Sequence, residues 1–143
     1  MIIIYTDGSS KGNPGPGGWG CHIIKGNKTY EIYGRSEMTT NNEMELLAAI
    51  KAFEFFPESQ KIILRTDSNY VLKGITEWIV GWKKRGWKNS KNETVKNLKL
   101  WKRLDILNQK HSVKWEKVKG HSGDFGNDRA DYLATFEDQD LKG

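Results

Sequence analysis

Apolar and polar positions along the chain follow two different periods, and together they predict a domain that mixes strands and helices. Short β-branched or alternating runs bounded by Gly, Asp or Asn predict strands, whereas longer runs of helix formers predict helices. The predicted strands are 2–7, 19–25, 28–33, 61–66 and 112–119. The predicted helices are 43–56, 69–78, 95–109 and 127–136, with short helical pieces within 81–91. This order predicts an α/β fold with a mixed sheet of about five strands flanked by helices.

Local sequence indicates where several of these elements begin and end. The Gly- and Pro-rich stretch 12–18 is predicted to be a loop, and Gly26-Asn27 is predicted to join the second and third strands in a hairpin. Small polar side chains accept hydrogen bonds at helix starts, so we predict helix caps within 39–42 and at Ser68 and Asn127.

Length and cysteine content narrow the class of protein. A chain of 143 residues suits one compact domain, and we expect residues 1–143 to form a single catalytic unit. The lone cysteine, Cys21, excludes an intrachain disulfide and a metal site built from several cysteines. The apolar N-terminus 1–5 is too short for a signal peptide or a membrane span. We therefore expect a cytoplasmic monomer that does not contact membranes.

Positive charge is concentrated in residues 73–103, which we call the basic segment. It holds ten Lys or Arg and two acidic residues, whereas the remainder holds 13 basic and 16 acidic residues. It also holds four of the six tryptophans, and cations interleaved with aromatic rings suit a surface that follows a phosphate backbone. A solvated helical face with tryptophans in the core would give the same pattern. Charge alone therefore leaves both interpretations open.

Two predicted strands end in the same way, with Thr6-Asp7 and Thr66-Asp67. If these strands are parallel neighbours, the two carboxylates emerge at one edge of the sheet, where open α/β sheets bind ligands. Asp before Gly or Ser is also common in turns and caps, so each residue taken singly has a structural explanation. The repeated pattern is the stronger signal.

A third candidate carboxylate, Glu45, lies on the predicted helix 43–56. The rest of its helical stripe consists of Ala48, Ala49, Ala52 and Phe56. Alanines let a helix approach a sheet closely, and a carboxylate on that side needs a partner such as a metal ion, because an unpaired buried charge is costly. The alternative explanation is a glutamate favoured by the dipole near a helix N-terminus.

The last predicted helix offers two aspartates. Asp128 fits the first turn, where it complements the helix dipole, whereas Asp131 shares a stripe with Asn127 and Ala134. We predict Asp131 as the fourth ligand, with Asp128 as the alternative. Four carboxylates without cysteine or paired histidine indicate a hard cation such as Mg²⁺. Two such ions roughly 3.5–4 Å apart can hold a phosphodiester.

Several short motifs, in their order and spacing, resemble type 1 ribonuclease H over nearly the whole chain. They are YTDGS (5–9), GNPG (12–15), TTNNEMEL (39–46), TDS (66–68), GWKKRGW (81–87) and VKGHSG (118–123), followed by Asn127 and Asp131. The resemblance implies a ribonuclease H-like fold. It also implies an endoribonuclease that cuts the RNA strand of RNA–DNA hybrids with two Mg²⁺ ions, which Mn²⁺ can replace. The products would carry 3′-hydroxyl and 5′-phosphate ends.

The same resemblance implies roles for individual residues. The metal-binding and catalytic tetrad would be Asp7, Glu45, Asp67 and Asp131. His121 would assist proton transfer or product release, and its alternative is an exposed loop histidine without a role. The implied substrate contacts are Asn13, Thr40, Asn41, Asn42, Asn69, Tyr70, Trp78, Lys83, Lys84, Arg85 and Asn97. Among these, Asn13, Asn41, Asn42 and Asn69 would read 2′-hydroxyls in the minor groove. Thr40 and Asn97 would form a DNA phosphate pocket.

Two other classes of function are compatible with the sequence. A nucleic-acid-binding module with the same fold would keep the basic segment, although the intact set of four acids argues against it. A phosphatase with a strand-end Asp nucleophile commonly needs a second Asp two residues on, where Ser9 stands. Met38 and Glu43 stand where relatives often carry basic residues, which predicts a weaker phosphate pocket.

Overall fold

The computed structural model describes residues 1–119 and 124–136 of the chain. Its strands are β1 (Ile2–Ser10), β2 (Gly15–Lys25), β3 (Lys28–Thr39), β4 (Lys61–Thr66) and β5 (Ser112–Lys117). Its helices are α1 (Asn41–Glu54), α2 (Asn69–Lys73), α3 (Ile79–Lys84), α4 (Leu98–Lys110) and α5 (Phe125–Thr135), with a π-helical turn, Gly74–Trp78, between α2 and α3. No helix in these ranges is long and apolar enough to cross a bilayer.

The five strands form one mixed sheet in the order β3-β2-β1-β4-β5, which confirms the predicted architecture. β2 runs antiparallel to β1 and β3, whereas β4 runs parallel to both β1 and β5. The last paired residues of β1 and β4 are Tyr5 and Arg65. Beyond this pair the two strands no longer hydrogen-bond to each other, and the edge between them is the kind of position where α/β sheets bind ligands.

The strands on this side of the sheet are longer than the sequence predicted. β1 continues past Asp7 as far as Ser10, which pairs with Gly17 of β2. Much of the predicted loop 12–18 is therefore strand, and β3 extends to Thr39 instead of ending at residue 33. Cross-strand pairing holds these Gly-rich residues extended despite their weak β-propensity. Asp7 consequently lies inside a strand rather than at its end.

Helix boundaries differ from the prediction where the backbone leaves helical geometry. The predicted helix 69–78 is α2 plus the π-helical turn, and α3 carries the helical path on to Lys84. α4 begins at Leu98 rather than residue 95, because Asn97 adopts a left-handed conformation with φ of 60°. Among the strands, the edge strand β5 ends at Lys117, two residues earlier than predicted.

Side-chain caps define the starts of three helices. Thr40 caps α1 by accepting a hydrogen bond from Glu43 N, and Ser68 caps α2 by accepting one from Val71 N, as predicted. The predicted cap Asn127 is wrong, since it lies buried in the first turn of α5. Asp124 caps α5 instead, and its carboxylate accepts the backbone N–H of Gly126 at 3.0 Å.

The core lies between the sheet and the helices that cover it. The alanine stripe of α1 is fully buried, and so are Phe53 of α1 and Trp101 of α4. α1 packs chiefly on β1 and β2, and α5 packs on β2 and β1. Because side chains alternate along a strand, even- and odd-numbered residues of β1 face different helices. Gly8 faces α1, whereas Tyr5 contacts Gly126 of α5.

Candidate active site

Three carboxylates from separate parts of the chain meet beside the point where β1 and β4 stop pairing. Asp7 lies in β1, Glu45 one turn into α1, and Asp67 directly after β4. One oxygen from each side chain lies within 4.8 Å of the oxygens of the other two. The structure therefore brings together three of the residues that the sequence singled out.

The close approach of α1 to β1 brings Glu45 to Asp7, and Gly8 permits it. A Cβ atom at residue 8 would lie 2.3 Å from the backbone nitrogen of Glu45 and 2.3 Å from the carbonyl carbon of Met44. Backbone atoms cannot yield as a flexible side chain can, so any larger residue would push α1 away. The small, buried side chains of the alanine stripe keep α1 equally close to the sheet along the rest of the helix.

Asp131 of α5 lies beside Asp7, close enough that its side chain and its charge both raise the pKa of Asp7. α5 also approaches the sheet over a glycine, since a Cβ atom at Gly20 would lie 2.5 Å from the Cβ of Leu133. Asp131 is partly buried, whereas Asp128 is exposed in the first turn. This arrangement favours Asp131 over Asp128 as the fourth acidic residue of the site.

Burial and mutual repulsion disfavour the charged forms of two of these acids, Asp7 and Glu45. The pKa of Asp7 is raised from an ordinary 3.8 to about 8, chiefly by burial and further by the neighbouring side chain of Asp131 and the charge of Asp67. The pKa of Glu45 is also raised well above its ordinary value, first by burial and then by the charges of Asp7 and Asp67. Without a positive charge beside them, Asp7 and Glu45 therefore favour their protonated forms.

The donor set fits a divalent cation with oxygen ligands. Among the described residues, Glu45 Oε1 is buried and has no hydrogen-bond partner. Such an oxygen is costly unless a cation or a proton neutralises it. The group contains three carboxylates and neither thiolate nor imidazole, a set that favours Mg²⁺ or Mn²⁺. Asp7, Glu45 and Asp67, with Asp131 beside Asp7, are thus residues that could hold metal.

A small polar cluster beside these acids contains two of the predicted substrate contacts. Asn41 Oδ1 accepts the backbone N–H of Ser10 at 2.6 Å, and Asn13 Oδ1 accepts the backbone N–H of Asn41 at 3.0 Å. The hydroxyl of Ser10 donates to the carbonyl oxygen of Gly12 at 2.6 Å. Because the protein engages the carbonyl side of both carboxamides, their NH₂ groups can donate to a ligand.

Tyr70, Trp78 and Asn97, three further predicted contacts, are joined in one aromatic group. The Tyr70 hydroxyl accepts hydrogen bonds from Asn97 Nδ2 at 3.1 Å and from Trp101 Nε1 at 3.0 Å. The ring of Trp78 packs edge-on against Tyr70 with centroids 6.1 Å apart and is 39% exposed. Trp101 is buried as the core interpretation predicted, whereas Trp78 presents an aromatic surface to solvent.

The three cations at 83–85 differ in their surroundings. Lys83 forms an ion pair with Asp105 of α4 at 3.0 Å. Arg85 Nε donates to the carbonyl oxygen of Lys88 at 3.1 Å, which folds this side chain onto the basic segment. Lys84 is exposed and forms no ion pair with any acid in residues 1–119 or 124–136. Part of the positive charge of the segment is therefore already compensated within the protein.

The remaining predicted residues have separate positions. Thr40 is occupied as the α1 cap, and Asn42 is exposed in the first turn of that helix. Asn69 opens α2, and its Oδ1 accepts a hydrogen bond from Lys117 at the carboxyl end of β5. His121 lies outside the described residues, so its role stays a prediction.

Sequence reasoning missed a network that fixes the start of α5. Arg65 Nη1 donates to the Tyr5 hydroxyl at 2.6 Å, and Arg65 Nε pairs with Glu116 Oε1 at 2.9 Å. The Tyr5 hydroxyl in turn lies 3.4 Å from the Asp124 carboxylate that caps α5. The only local signal was Asp124 three residues before Asn127, a spacing that suits an N-cap.

Comparisons with known proteins identify the family of the chain. The sequence model of the family "RNase H" matches residues 1–138. A "Ribonuclease H" from Alcanivorax borkumensis is 52% identical over 141 residues, covering 99% of this chain and 93% of that protein. A "Ribonuclease HI" from Caulobacter vibrioides is 56% identical over 134 residues, covering 94% of this chain and 90% of that protein.

A solved structure agrees with these relatives. LC9-RNase H1, described as a type 1 RNase H with the type 2 active-site motif, superimposes with a TM-score of 0.81. The two sequences are 31% identical, and the superposition covers 93% of this chain and 69% of the LC9-RNase H1 chain. The resemblance to type 1 ribonuclease H predicted from sequence motifs is confirmed. The chain therefore belongs to the ribonuclease H family of metal-dependent endoribonucleases.

Proposed function

We propose that this chain hydrolyses the RNA strand of RNA–DNA hybrids with two divalent ions, Mg²⁺ or Mn²⁺, held by Asp7, Glu45, Asp67 and Asp131. One observation carries the proposal: carboxylate oxygens of Asp7, Glu45 and Asp67 lie within 4.8 Å of one another, and the buried Oε1 of Glu45 lacks a partner in the described residues. Bound ions of this kind lower the pKa of water and stabilise charge on phosphoryl oxygens. The family membership supports the reaction class.

The residues of the chain hold the site in place before substrate arrives. Gly8 and Gly20 let two helices pack so closely that their carboxylates need little rearrangement, which is the condition for electrostatic preorganisation. We assign to His121 the transfer of a proton to the leaving 3′ oxygen, because an imidazole titrates near neutral pH. This assignment gives products with a 3′-hydroxyl and a 5′-phosphate.

Substrate recognition is divided between two surfaces in this proposal. Asn13 and Asn41 turn their NH₂ groups toward the RNA strand, where 2′-hydroxyls distinguish RNA from DNA, and Asn42 and Asn69 extend this row. Tyr70, Trp78 and Asn97, with Thr40, lie along the DNA strand and its phosphates. The basic segment follows the backbone farther out.

We further propose that residues 1–143 form one catalytic domain, which acts as a monomer in the cytoplasm. The family match over 1–138 supports a single catalytic unit. The buried thiol of Cys21, which forms no disulfide, is compatible with a reducing compartment. A binding module without activity would not require four converging acids, and the phosphatase alternative lacks its second Asp at Ser9.

Cleavage of one sequence in four forms tests the function directly. The forms are an RNA–DNA hybrid, double-stranded RNA, double-stranded DNA and single-stranded RNA, each end-labelled and incubated with Mg²⁺ and with EDTA. We expect cleavage of the RNA strand of the hybrid only, and only with the metal. Equal cleavage of double-stranded RNA, or no cleavage of the hybrid, would overturn the proposal. End analysis of the products separates 3′-hydroxyl from 3′-phosphate termini.

Replacing Lys83, Lys84 and Arg85 with glutamine is expected to weaken hybrid binding and to flatten its salt dependence. Each lost phosphate contact reduces the slope of log K against log salt by about 0.9. Because Lys83 is already paired with Asp105, Lys84→Gln alone should reduce the slope more than Lys83→Gln alone. The measurement is hybrid binding from 50 to 200 mM salt with Ca²⁺ in place of Mg²⁺.

A matched triple variant at Lys28, Lys61 and Lys110 provides the control for this experiment. These lysines lie at the opposite end of the sheet from the acids, so the variant loses the same charge at a distance from the proposed surface. Its slope should equal that of the wild type. Equal slopes for the wild type and the 83–85 variant would exclude the basic segment as the binding surface.

A further inference from the structure

A cavity of about 570 Å³ lies beyond the acid cluster, between the end of β1, β3 and the last turn of α5. Its lining includes Ser9, Ser10, Lys11, Arg35, Glu37 and Thr135. The volume lies within the range of pockets that bind small ligands or parts of larger ones. The guanidinium of Arg35 places a cation in this lining, which suits an anionic ligand.

Ser9 connects this cavity to the acids. Residues two apart in a strand project from the same face, so Ser9 lies on the same side of β1 as Asp7, displaced by roughly 6.7 Å along the strand. Gly8, between them, faces α1 instead. Ser9 is partly buried, and its hydroxyl makes no hydrogen bond with the residues that the structure describes. A hydroxyl so placed can donate to a ligand and accept from it.

Arg35 contributes fixed donors at the far wall of the cavity. Its guanidinium donates to the carbonyl oxygens of Gly34 at 3.0 Å, Leu133 at 2.8 Å and Phe136 at 2.9 Å. These bonds use three of the five guanidinium N–H groups and leave two for a ligand. The side chain also stacks on Phe136, 4.4 Å from the ring centroid, so its orientation is set before any ligand binds.

We propose that this cavity is a subsite for the RNA strand, holding the ribose and phosphate of a nucleotide that flanks the scissile bond. The inference rests on the proposed function and adds to it a contact on the α5 side of the acids, away from the asparagine row. Ser9 bonds to the sugar–phosphate backbone of that nucleotide, and Arg35 supplies the cation for its phosphate. The subsite therefore fixes the register of the RNA strand across the metal-binding acids.

A substitution cycle between protein and substrate tests this subsite. The substrate is a hybrid whose labelled strand has a short ribonucleotide run inside DNA, so that one bond is cut. Each nucleotide flanking that bond is replaced in turn by its 2′-deoxy form, or its phosphate by a neutral methylphosphonate. We expect one flanking position at which the wild type loses about fivefold to tenfold in kcat/KM, as the loss of one hydrogen bond predicts. On the unmodified substrate, the kcat/KM of Ser9→Ala should be lower than that of the wild type by the same factor. Modifying the substrate at that position should not lower the kcat/KM of Ser9→Ala any further.

The outcomes of the cycle separate the subsite from the proposed function. If Ser9→Ala abolishes the effect of the 2′-deoxy substitution at one position, Ser9 contacts the ribose there. If it abolishes the effect of the methylphosphonate instead, Ser9 contacts the phosphate. If the effects of Ser9→Ala and of the substrate changes simply multiply at every position, the subsite is refuted while the nuclease function stands. A wild type that cuts no hybrid at all would overturn the function, and the subsite with it. Ser112→Ala, at the opposite end of the sheet, is the control that should couple to no position.

Discussion

Replacing Asp7 with asparagine is expected to lower hybrid cleavage by roughly a thousandfold or more while the protein still folds. The amide keeps the shape of the carboxylate but lacks the charge that attracts a cation. Metal catalysis contributes several kcal/mol, and each ~1.4 kcal/mol changes the rate tenfold. Asp67→Asn should behave in the same way, because its carboxylate shares the 4.8 Å group with Asp7. Initial rates measured against Mg²⁺ concentration test both variants, and turnover like the wild type in either would refute the metal assignment.

A matched pair on α5 serves as the control. Asp131→Asn and Asp128→Asn make the same chemical change three residues apart, but of the two only Asp131 lies close enough to Asp7 to raise its pKa. Asp131→Asn should lose most of the activity and Asp128→Asn should retain it. The opposite result would make Asp128, the alternative from the sequence, the fourth ligand.

The same Asp7→Asn variant should be more stable than the wild type when metal is removed. The pKa of Asp7 is raised to about 8 in the folded protein from an ordinary 3.8, so the folded state holds this proton more tightly than the unfolded state. The stability of the wild type in EDTA should therefore fall as pH rises from about 4 to about 8. The variant lacks this penalty and should melt several degrees higher at pH 8, since 1 kcal/mol shifts Tm by roughly 3–6 °C. Added Mg²⁺ should raise the Tm of the wild type much more than that of the variant.

The convergence of the acids could be predicted because it depends on regular geometry. The two Thr-Asp pairs directly follow Tyr5 and Arg65, where the parallel strands β1 and β4 stop pairing, so both reach one edge. A 3.6-residue period puts Glu45 on the alanine side of its helix. The same period separated Asp131 from Asp128. Strand length was harder to predict, because cross-strand pairing carries β1 three residues past Asp7 through a sequence rich in turn formers.

The missed features depend on residues that meet only in the folded chain. Lys83 and Asp105 are 22 positions apart, so no local pattern reveals that their charges compensate. The cavity beside Ser9 likewise needs β3 and the end of α5, which the sequence leaves unrelated. Charge counting therefore overstates the positive charge available in the basic segment, and periodicity alone does not reveal a cavity between elements.

Gly8→Ala is expected to reduce the rate of hybrid cleavage by at least about a hundredfold, although it changes none of the carboxylates that would hold the metal. The new methyl group would lie 2.3 Å from the backbone of Glu45 and Met44, so α1 must move by on the order of 1 Å to relieve the contact. A displacement of this size at a catalytic centre costs about 10²-fold in rate. Glu45 moves with the helix, and the group of three oxygens widens. The measurement is the rate per folded molecule, with the folded fraction taken from circular dichroism and thermal melting.

Gly26→Ala is the control that separates a displacement of the acids from a loss of protein stability. Gly26 has φ of 63° in the hairpin turn, and its Cβ would meet no atom within 4 Å. Alanine there costs about 1 kcal/mol of stability through backbone strain and leaves the acids in place. Gly26→Ala should lose activity only in proportion to its loss of folded protein. If Gly8→Ala did the same, the close approach of α1 would be a packing feature and not a requirement of the metal site. A lower response of the Gly8→Ala Tm to Mg²⁺, with an unchanged response in Gly26→Ala, would tie this glycine to the geometry of the acids.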